Sequence, residues 1–306
     1  MSEVSMQKPS DQTMRNTGER LLPEVRNRHT IEHLHRYALA TILARDKDVL
    51  DIASGEGYGS FLLCEAANKV IGVDIVEEAV LHAQQRYQRP NLEFRLGSAT
   101  AIPVDDASLD LVVSFETLEH VEDHETMMRE AKRVLRPDGI LFISTPDTAM
   151  FSGVLGNQNH FHIKELTTEE FDVLLAKHFK NVSLIHQKLV FGSLIKTRNA
   201  TENERENKRE KSFALFKGTS HHIEEVVEIE QALYNLALAT EADLPEFGAS
   251  FFHGDDVIEG ELEAIRRSRS YQIGQRVIGV LKPALRFRTA LARRIQSAKN
   301  QNLNGN

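Results

Sequence analysis

The sequence predicts an α/β protein built on an open, mostly parallel sheet with helices on both faces. Five short apolar segments alternate with stretches of helical periodicity, which is typical of parallel strands joined by helical crossovers. A glycine-rich turn, residues 55–59, directly follows the first apolar segment. Polar residues cluster where the apolar segments end, and open parallel sheets bind their ligands at that edge.

The N-terminal region is predicted to contain a polar tail, an irregular arm and one helix. Residues 1–16 lack the apolar core of a signal peptide, which favours a polar tail. Apolar residues recur at helical spacing after Thr30 and predict a helix over about 28–45. The arm before this helix carries Arg20 and Glu24. The helix carries three side chains that either form a solvated face with one packed aromatic or belong to a ligand site: His33, Arg36 and Tyr37.

The strands and helices of the sheet follow in order. A strand, the glycine turn and a helix occupy 48–67, and the strand is apolar enough to be buried on both faces. Pro90 ends the next helix, and Asp123 can cap the helix that follows the fourth strand. The other predicted elements are strands at 69–74, 91–96, 109–115, 140–144 and 181–187, helices at 76–88, 124–135 and 167–179, and a turn at 136–139.

The glycine turn and an acid on the second strand indicate a nucleoside ligand. Glycines let the backbone approach a ligand closely at the electropositive start of a helix. Asp74 lies 19 residues after Gly55, at the end of the second strand, where a carboxylate typically binds ribose hydroxyls. Ser60 stands where the dinucleotide fingerprint requires its third glycine, which disfavours a nicotinamide oxidoreductase. Asp51, inside the first strand, favours a ligand with a nearby cation, such as a nucleoside that carries an α-amino acid.

Four segments together resemble class I S-adenosylmethionine-dependent methyltransferases. They read DVLDIASGEGYGS, VIGVDI, LDLVVSFETLEHVED and RPDGILFISTPD. The resemblance covers about 17–190 and is nearest to the group that contains quinone, small-molecule and sugar O-methyltransferases. It implies a Rossmann-like sheet of seven strands, mostly parallel, whose last strand at 232–240 is antiparallel. The implied organisation is an N-terminal tail, arm and helix at 1–45, a methyltransferase domain at 46–243 with an insertion at 190–230, and a basic helical extension at 244–306.

The resemblance also implies S-adenosylmethionine as the cofactor and assigns residues to its parts. Asp51 and the backbone near Ala53, Gly55 and Gly57 would hold the methionine moiety, and Asp74 would accept the ribose hydroxyls. Ser98 stands where the family more often has Asp, so its contact with the adenine is expected to be weaker. The remaining assignments are Ile75, Ser98 and Ala99 around the adenine, Phe115 and Glu116 on the sulfonium side, and Arg20, His33, Arg36 and Tyr37 in an arm that closes over the cofactor.

Three side chains are candidates for taking a proton from an acceptor hydroxyl. His120 ends the polar cluster after the fourth strand, Glu119 precedes it, and His162 lies on a predicted lid. A purely structural hydrogen bond is the alternative for each histidine. The lid segment NHFHIKELTTEEF resembles the acceptor side of sugar and quinone methyltransferases, with His162 at the family's histidine and His160 in place of a proline. Hard metal ligands are present nearby, but without a diagnostic spacing, so the sequence predicts no metal.

The acceptor expected from these resemblances is a sugar or glycan of cell-surface polysaccharide synthesis. TGERLLPE and EHLHRYA resemble an arm of bacterial members encoded with glycosyltransferases, and SRSYQIGQRVIGVLKPALR resembles a tail of surface-polysaccharide enzymes. A quinone or other small metabolite is the alternative acceptor. A non-catalytic module that binds a partner is a further alternative, which loss of Asp74 or the glycines would have favoured.

Charge and cysteine content limit the partners and the compartment. All 45 acidic residues lie before Ala264, whereas the segment from there to residue 306 holds ten basic ones. An acidic body repels phosphates, so a nucleic-acid partner is not expected. The basic tail is expected either to contact an anionic membrane or a glycosyltransferase partner, or to be a solvated helix. Cys64 is the single cysteine and fits a reducing cytoplasm, with a buried structural role expected.

Overall fold

The computed structural model describes residues 27–154, 159–190, 215–219, 222–226, 229, 232–245, 248–254, 257 and 267. Arg20 and the rest of the predicted arm therefore lie outside the described residues. The same holds for most of the predicted insertion and for almost all of the basic tail. None of the helices in the described ranges combines the length and the apolar character needed to cross a lipid bilayer.

The described elements alternate between strands and helices up to residue 146, except that the strands at 92–96 and 109–115 follow each other directly. The helices are α1 (Arg28–Leu43), α2 (Tyr58–Leu63), α3 (Glu77–Arg86), α4 (His124–Val134) and α5 (Thr168–His178), and a 3₁₀ turn spans Leu118–His120. The strands are β1 (Asp48–Ile52), β2 (Lys69–Asp74), β3 (Leu92–Leu96), β4 (Leu109–Phe115), β5 (Leu135–Pro146), β6 (Asn181–Gln187), β7 (Leu215–Thr219), β8 (His222–Val226) and β9 (Tyr234–Thr240).

Seven of these strands form one sheet in the order β3-β2-β1-β4-β5-β9-β6. The first five are parallel to one another, and β9 runs antiparallel between β5 and β6. This arrangement confirms the predicted mostly parallel sheet with an antiparallel last strand. Strands β7 and β8 pair with each other in a separate antiparallel hairpin, which falls within the predicted insertion.

Apolar side chains cover both faces of the sheet. On one face, Val49 and Val113 pack with α1 and α2 through residues such as Tyr37 and Leu63. On the other face, Leu50 and other strand residues pack with the buried methionines of α4 and the apolar side of α5. Adjacent residues of β1 therefore point into opposite layers, which explains why this strand reads as a continuous apolar run. Helices on both faces confirm the predicted layering.

Two element boundaries differ from the sequence-based prediction. Helix α2 ends at Leu63 instead of continuing to 67, and the buried Cys64 forms its C-cap. Strand β5 begins at Leu135, where a turn at 136–139 was predicted. Its pairing with β4 steps from Leu109–Leu135 to Leu111–Ile140. Four residues of β5, 136–139, but only one residue of β4 lie between these two pairs. Pro137 and Gly139 therefore lie in an irregularity inside the strand, where a turn before the strand was predicted.

Gly59→Ala is expected to lower the free energy of unfolding by about 1–3 kcal/mol, the usual cost of overpacking a core. A Cβ at this position would lie 2.0 Å from Cζ of Tyr37, whose ring is buried and held by neighbouring aromatics. Urea unfolding of the wild type and the variant measures the difference. Gly248→Ala is the control, because a Cβ there meets nothing within 4 Å. Equal stability of the Gly59→Ala variant and the wild type would contradict this packing.

Candidate functional site

The predicted ligand residues gather where the parallel strands end. Asp51 pairs in register with Gly72 of β2 and Val113 of β4, so the residues that follow these strands lie side by side. Three turns meet there: the glycine turn after β1, the segment after Asp74 and the segment after Phe115. This is the edge at which open parallel sheets bind ligands.

Asp51 is a buried carboxylate held by hydroxyl groups. Ser60 Oγ donates to its Oδ2 at 2.7 Å, and the Tyr37 hydroxyl donates to its Oδ1 at 3.2 Å. Burial raises the pKa of Asp51 to about 7, and the donated hydrogen bonds oppose that rise. No cationic side chain of the described ranges forms an ion pair with it. A cation brought by a ligand would therefore be stabilised here.

The turn after β1 is shaped by residues with positive φ. Ala53 has φ +59°, Gly55 +57° and Gly57 +97°. The amides of Gly55 and Val76 each donate at 2.9 Å to the Asp74 carboxylate, one to each oxygen. Asp74 is thus fixed against the glycine turn. A non-glycine residue such as Ala53 with positive φ stores strain, which proteins concentrate at ligand sites.

Beyond Asp74 the site edge carries exposed apolar side chains. Ile75 is 70% exposed, and Leu96, at the end of the neighbouring strand β3, is 52% exposed. The predicted adenine neighbours Ser98 and Ala99 follow Leu96 after one glycine, Gly97, and are partly buried. The Ser98 hydroxyl accepts a hydrogen bond from the Thr100 amide at 3.2 Å, which organises this loop.

On the predicted sulfonium side, Phe115 is a buried aromatic side chain and Glu116 is a partly exposed carboxylate. Phe115 packs edge-on against Tyr37 and Phe142, each with ring centroids 5.1 Å apart. Glu116 follows with φ +53° and accepts a hydrogen bond from Ser144 Oγ at 2.7 Å. Phe115 thus packs against the ring of Tyr37, and Glu116 places a carboxylate directly after the end of β4.

Arg36 is a buried cation that joins α1 to three strands. Its side chain is fully buried, and its Nη1 lies 2.8 Å from a carboxylate oxygen of Glu116. Its Nε donates to Gln187 at 2.7 Å, and its guanidinium lies 4.3 Å from the ring centre of Tyr234. The sequence pattern left this residue open between a solvated face and a ligand site. The structure makes it the internal partner of Glu116.

The three predicted proton acceptors lie together at the end of β4. Glu119 and His120 are on the 3₁₀ turn, and His162 approaches from the segment after 159. The rings of His120 and His162 are 5.1 Å apart, and Phe151 stacks on His162 at 5.3 Å. His162 Nδ1 lies 2.5 Å from a Glu165 carboxylate oxygen. The structure thus brings together side chains that are 42 positions apart in the chain.

The glycine turn and its neighbours fit S-adenosylmethionine. The buried Asp51 suits the α-ammonium group, because a ligand cation would offset the cost of burying the carboxylate. Asp74 is fixed for ribose hydroxyls, and Ile75 offers an exposed apolar surface to the adenine. Gly57 cannot take a larger residue, since a Cβ there would lie 2.8 Å from Ala83 and Phe94. Binding of the cofactor by each of the predicted residues stays a prediction, and Arg20 lies outside the described residues.

Sequence reasoning missed two residues of this site. Ser60 was read only as a missing third glycine, whereas its hydroxyl donates to Asp51. Glu165 was read only as part of the lid segment, although it follows His162 by three positions and orients that ring. The signals that would have identified them are a hydroxyl in the first turn of the helix that follows a strand acid, and an acid three residues after a candidate base.

Comparison with known proteins agrees with this geometry. Residues 50–143 match the family model described as "Methyltransferase domain". A Mycolicibacterium smegmatis protein described as a probable S-adenosylmethionine-dependent methyltransferase is 38% identical over 162 residues, which are 52% of this chain and 62% of that protein. Erythromycin 3''-O-methyltransferase of Saccharopolyspora erythraea is 32% identical over 118 residues, 37% of this chain and 39% of that protein. The chain thus spans less than two thirds of the length of these relatives.

A solved structure shows the same fold. It is a chain of the complex between the Haloferax volcanii Trm112 methyltransferase activator and a methyltransferase, with a TM-score of 0.50 and 19% identity. The match covers 72% of this chain and 92% of that chain. The cofactor predicted from the sequence is confirmed by the family model and the named relatives. Residues 50–143 therefore match a methyltransferase domain, and the Mycolicibacterium smegmatis relative is described as S-adenosylmethionine-dependent.

Proposed function

We propose that this protein transfers a methyl group from S-adenosylmethionine to a hydroxyl of a sugar or glycan in cell-surface polysaccharide synthesis. The observation that carries the proposal is the cluster of Glu119, His120 and His162 beside the cofactor-binding edge. A sugar hydroxyl is a weak acid, so its attack on a methyl group requires a nearby base. The relative that methylates the 3''-oxygen of erythromycin supports an oxygen acceptor.

The bound cofactor supplies a methyl group that is already activated by the positive sulfur. Asp51, Asp74 and the glycine turn hold and orient it, so that the protein's main contribution is alignment. The acceptor hydroxyl would give its proton to Nε2 of His162 as the new O–C bond forms and the C–S bond breaks, with its electron pair left on the neutral thioether sulfur. Glu165 orients that ring through its contact with Nδ1.

His162 is the better base of the two histidines in this proposal. Its side chain is 9% exposed and lies against a carboxylate, whereas Nδ1 of His120 lies 2.8 Å from the Phe161 carbonyl oxygen. Glu119 is fully buried, and its pKa is raised by burial and by the charge of Glu116. Its carboxylate therefore orients the acceptor or the histidines.

A quinone or other small metabolite is the second candidate acceptor. Phe161 is 44% exposed and Ile163 is 62% exposed, and both flank His162. Exposed apolar side chains beside the base suit a flat apolar acceptor as well as the face of a sugar ring. The arm and tail resemblances favour the sugar.

Incubation with labelled S-adenosylmethionine and two acceptor panels tests the proposal. One panel contains surface-polysaccharide fragments and nucleotide sugars, and the other contains quinones and small phenols. We expect label in the first panel, as an alkali-stable methyl ether. Label only in the second panel would replace the sugar by the alternative acceptor, and failure to label either panel would count against the enzyme assignment.

His162→Ala is expected to lower kcat by about 10²- to 10⁴-fold, the usual contribution of a general base. The Kd for S-adenosylhomocysteine should stay within about twofold, because His162 lies outside the predicted cofactor residues. Calorimetry and single-turnover kinetics measure the two quantities. An equal loss of binding and turnover would place His162 in the cofactor site instead.

A further inference from the structure

Three possible metal ligands converge beside the cofactor-binding edge. Glu119, His120 and His162 each offer one ligand atom, and these three atoms lie within 4.8 Å of one another. Among the described residues, this is the one such group of three or more His, Cys, Asp or Glu side chains. The sequence predicted no metal because the hard ligands Glu116, Glu119, His120 and Asp123 show no diagnostic spacing. The fold adds His162, which lies 42 positions after His120 in the chain, to the group.

The hydrogen bonds of the two histidines leave the same ring atom available on each. Nδ1 of His120 lies 2.8 Å from the carbonyl oxygen of Phe161, and a carbonyl only accepts, so this nitrogen carries the proton. Nδ1 of His162 lies 2.5 Å from the Glu165 carboxylate and likewise donates. In the neutral rings, Nε2 of both therefore has its lone pair free. Metal-bound histidines are typically oriented in this way, with the other nitrogen donating to a carboxylate or carbonyl.

The two segments that supply the ligands are fastened to each other. The amides of Ile163 and Lys164 donate to the Glu119 carbonyl at 2.8 and 3.2 Å. Together with the bond from His120 to Phe161, they join the 3₁₀ turn to the residues around His162. The ligand positions are thus set by backbone contacts, which reduces the conformational cost of binding.

The carboxylate in the group lies in a setting that favours a cation. Glu119 is 1% exposed, and Thr145 Oγ1 donates to its Oε2 at 3.2 Å. The Glu116 carboxylate places a second negative charge nearby. A divalent ion would offset both the burial of this charge and its repulsion by Glu116.

We propose that Glu119, His120 and His162 bind a divalent transition-metal ion, with zinc as the favoured ion. Two imidazole nitrogens and one carboxylate oxygen form a ligand set that zinc uses in catalytic sites, where a fourth position stays open. Imidazole ligands disfavour magnesium and calcium, which prefer oxygen. Ligand atoms on one zinc ion lie about 3.3 Å apart, as follows from tetrahedral bonds of about 2.0–2.1 Å, so binding draws the three side chains inward by about an ångström.

The role of this ion rests on the proposed function. An acceptor hydroxyl at the open position would ionise at a lower pH, as metal-bound water does, and its proton would pass to solvent beside His120, whose side chain is 28% exposed. The oxygen keeps the electron pair for its attack on the methyl carbon. In the loaded protein the ion, rather than Nε2 of His162, therefore activates the hydroxyl.

Binding of Co²⁺ to the metal-stripped full-length protein tests the site without an acceptor or cofactor. We expect one Co²⁺ per chain, with visible absorption bands of a bound ion that disappear when one equivalent of Zn²⁺ is added. His120→Ala and His162→Ala should each abolish the bands. Glu165→Gln, which keeps the ligands but weakens the orienting contact, should reduce the affinity by about tenfold.

His178→Gln is the matched control, because His178 Nε2 also lies 2.7 Å from a carboxylate, that of Glu125. This variant should bind Co²⁺ as the wild type does. Circular dichroism identifies any variant that fails to fold, in which case Glu165→Gln decides. Absence of stoichiometric Co²⁺ binding by the wild type, or unchanged binding by both alanine variants, would overturn the site. Methyl transfer at the full rate after chelation would overturn its role while leaving the proposed function intact.

Discussion

Asp51→Asn is expected to make the cofactor-free protein more stable at pH 8 by about 1–3 kcal/mol. The pKa of this buried carboxyl rises from 3.8 to about 7 in the folded protein, and one pKa unit corresponds to about 1.4 kcal/mol. The full shift gives an upper limit of about 4 kcal/mol. Asparagine keeps an oxygen that can accept from Ser60 and Tyr37, but its amide hydrogens need new partners, which reduces the gain.

Because the pKa of Asp51 is raised in the folded protein, the stability difference between wild type and Asp51→Asn depends on pH. A carboxyl whose folded pKa is raised contributes stability below its unfolded pKa of 3.8, and that stability is lost as the pH rises through about 7. The advantage of the asparagine variant should therefore grow from pH 5 to pH 8. Urea unfolding at both values measures it, with the exposed Asp105→Asn as control. An equal pH dependence for wild type and Asp51→Asn would show that Asp51 is not the titrating group.

The same substitution should weaken cofactor binding. The cofactor's ammonium group would pair with the ionised Asp51, so binding lowers the pKa of the carboxyl and releases a proton below pH 7. We expect the affinity for S-adenosylhomocysteine to rise with pH through about 7 in the wild type and to be lower and less pH-dependent in Asp51→Asn. Calorimetry in buffers with different ionisation enthalpies counts the protons. Asp51 would thus lower the free energy of unfolding of the cofactor-free protein and increase the affinity for the cofactor.

Arg36→Met is expected to lower the free energy of unfolding by about 3–5 kcal/mol, the usual cost of leaving one partner of a buried ion pair alone. Methionine replaces the apolar stem but leaves Glu116 and Gln187 without their cationic partner. Loss of the contact with Tyr234 adds to the cost. Chemical unfolding measures the difference.

A double-mutant cycle separates the charge from the packing. Glu116→Gln should recover part of the loss caused by Arg36→Met, because it removes the buried charge left behind. Arg95→Met is the matched control: its pair with Glu93 is partly exposed, and the expected change is below about 1 kcal/mol. Full additivity of the Arg36 and Glu116 substitutions would show that the pair does not interact.

The strands and the cofactor-binding edge were predictable because they depend on local patterns. Continuous apolar runs identify strands buried on both faces, and the acids Asp51 and Asp74 stand at fixed distances from the glycine turn. The antiparallel position of β9 came from resemblance, since the period of 232–240 fits a helix or a strand equally well.

The acceptor side depended on contacts between distant segments and was only partly predictable. His162 was a candidate by residue type, but its proximity to Glu119 requires the backbone bonds from Ile163 and Lys164. An arginine on a helix is usually solvated, and nothing in the local pattern shows that Gln187 and Glu116 enclose Arg36. Pairs of polar groups that are distant in the chain cannot be predicted from the local pattern of a single sequence.

The burial of Tyr37 and Arg36 has a consequence for where this protein can be cut. Helix α1 lies outside the segment that matches the methyltransferase domain, 50–143, yet Tyr37 packs in the same apolar layer as β1 and β4. A truncation that begins at β1 would open that layer to water and leave the Asp51 and Glu116 carboxylates without two of their partners. A fragment that keeps this packing must therefore extend beyond the segment that matches the family model and include α1.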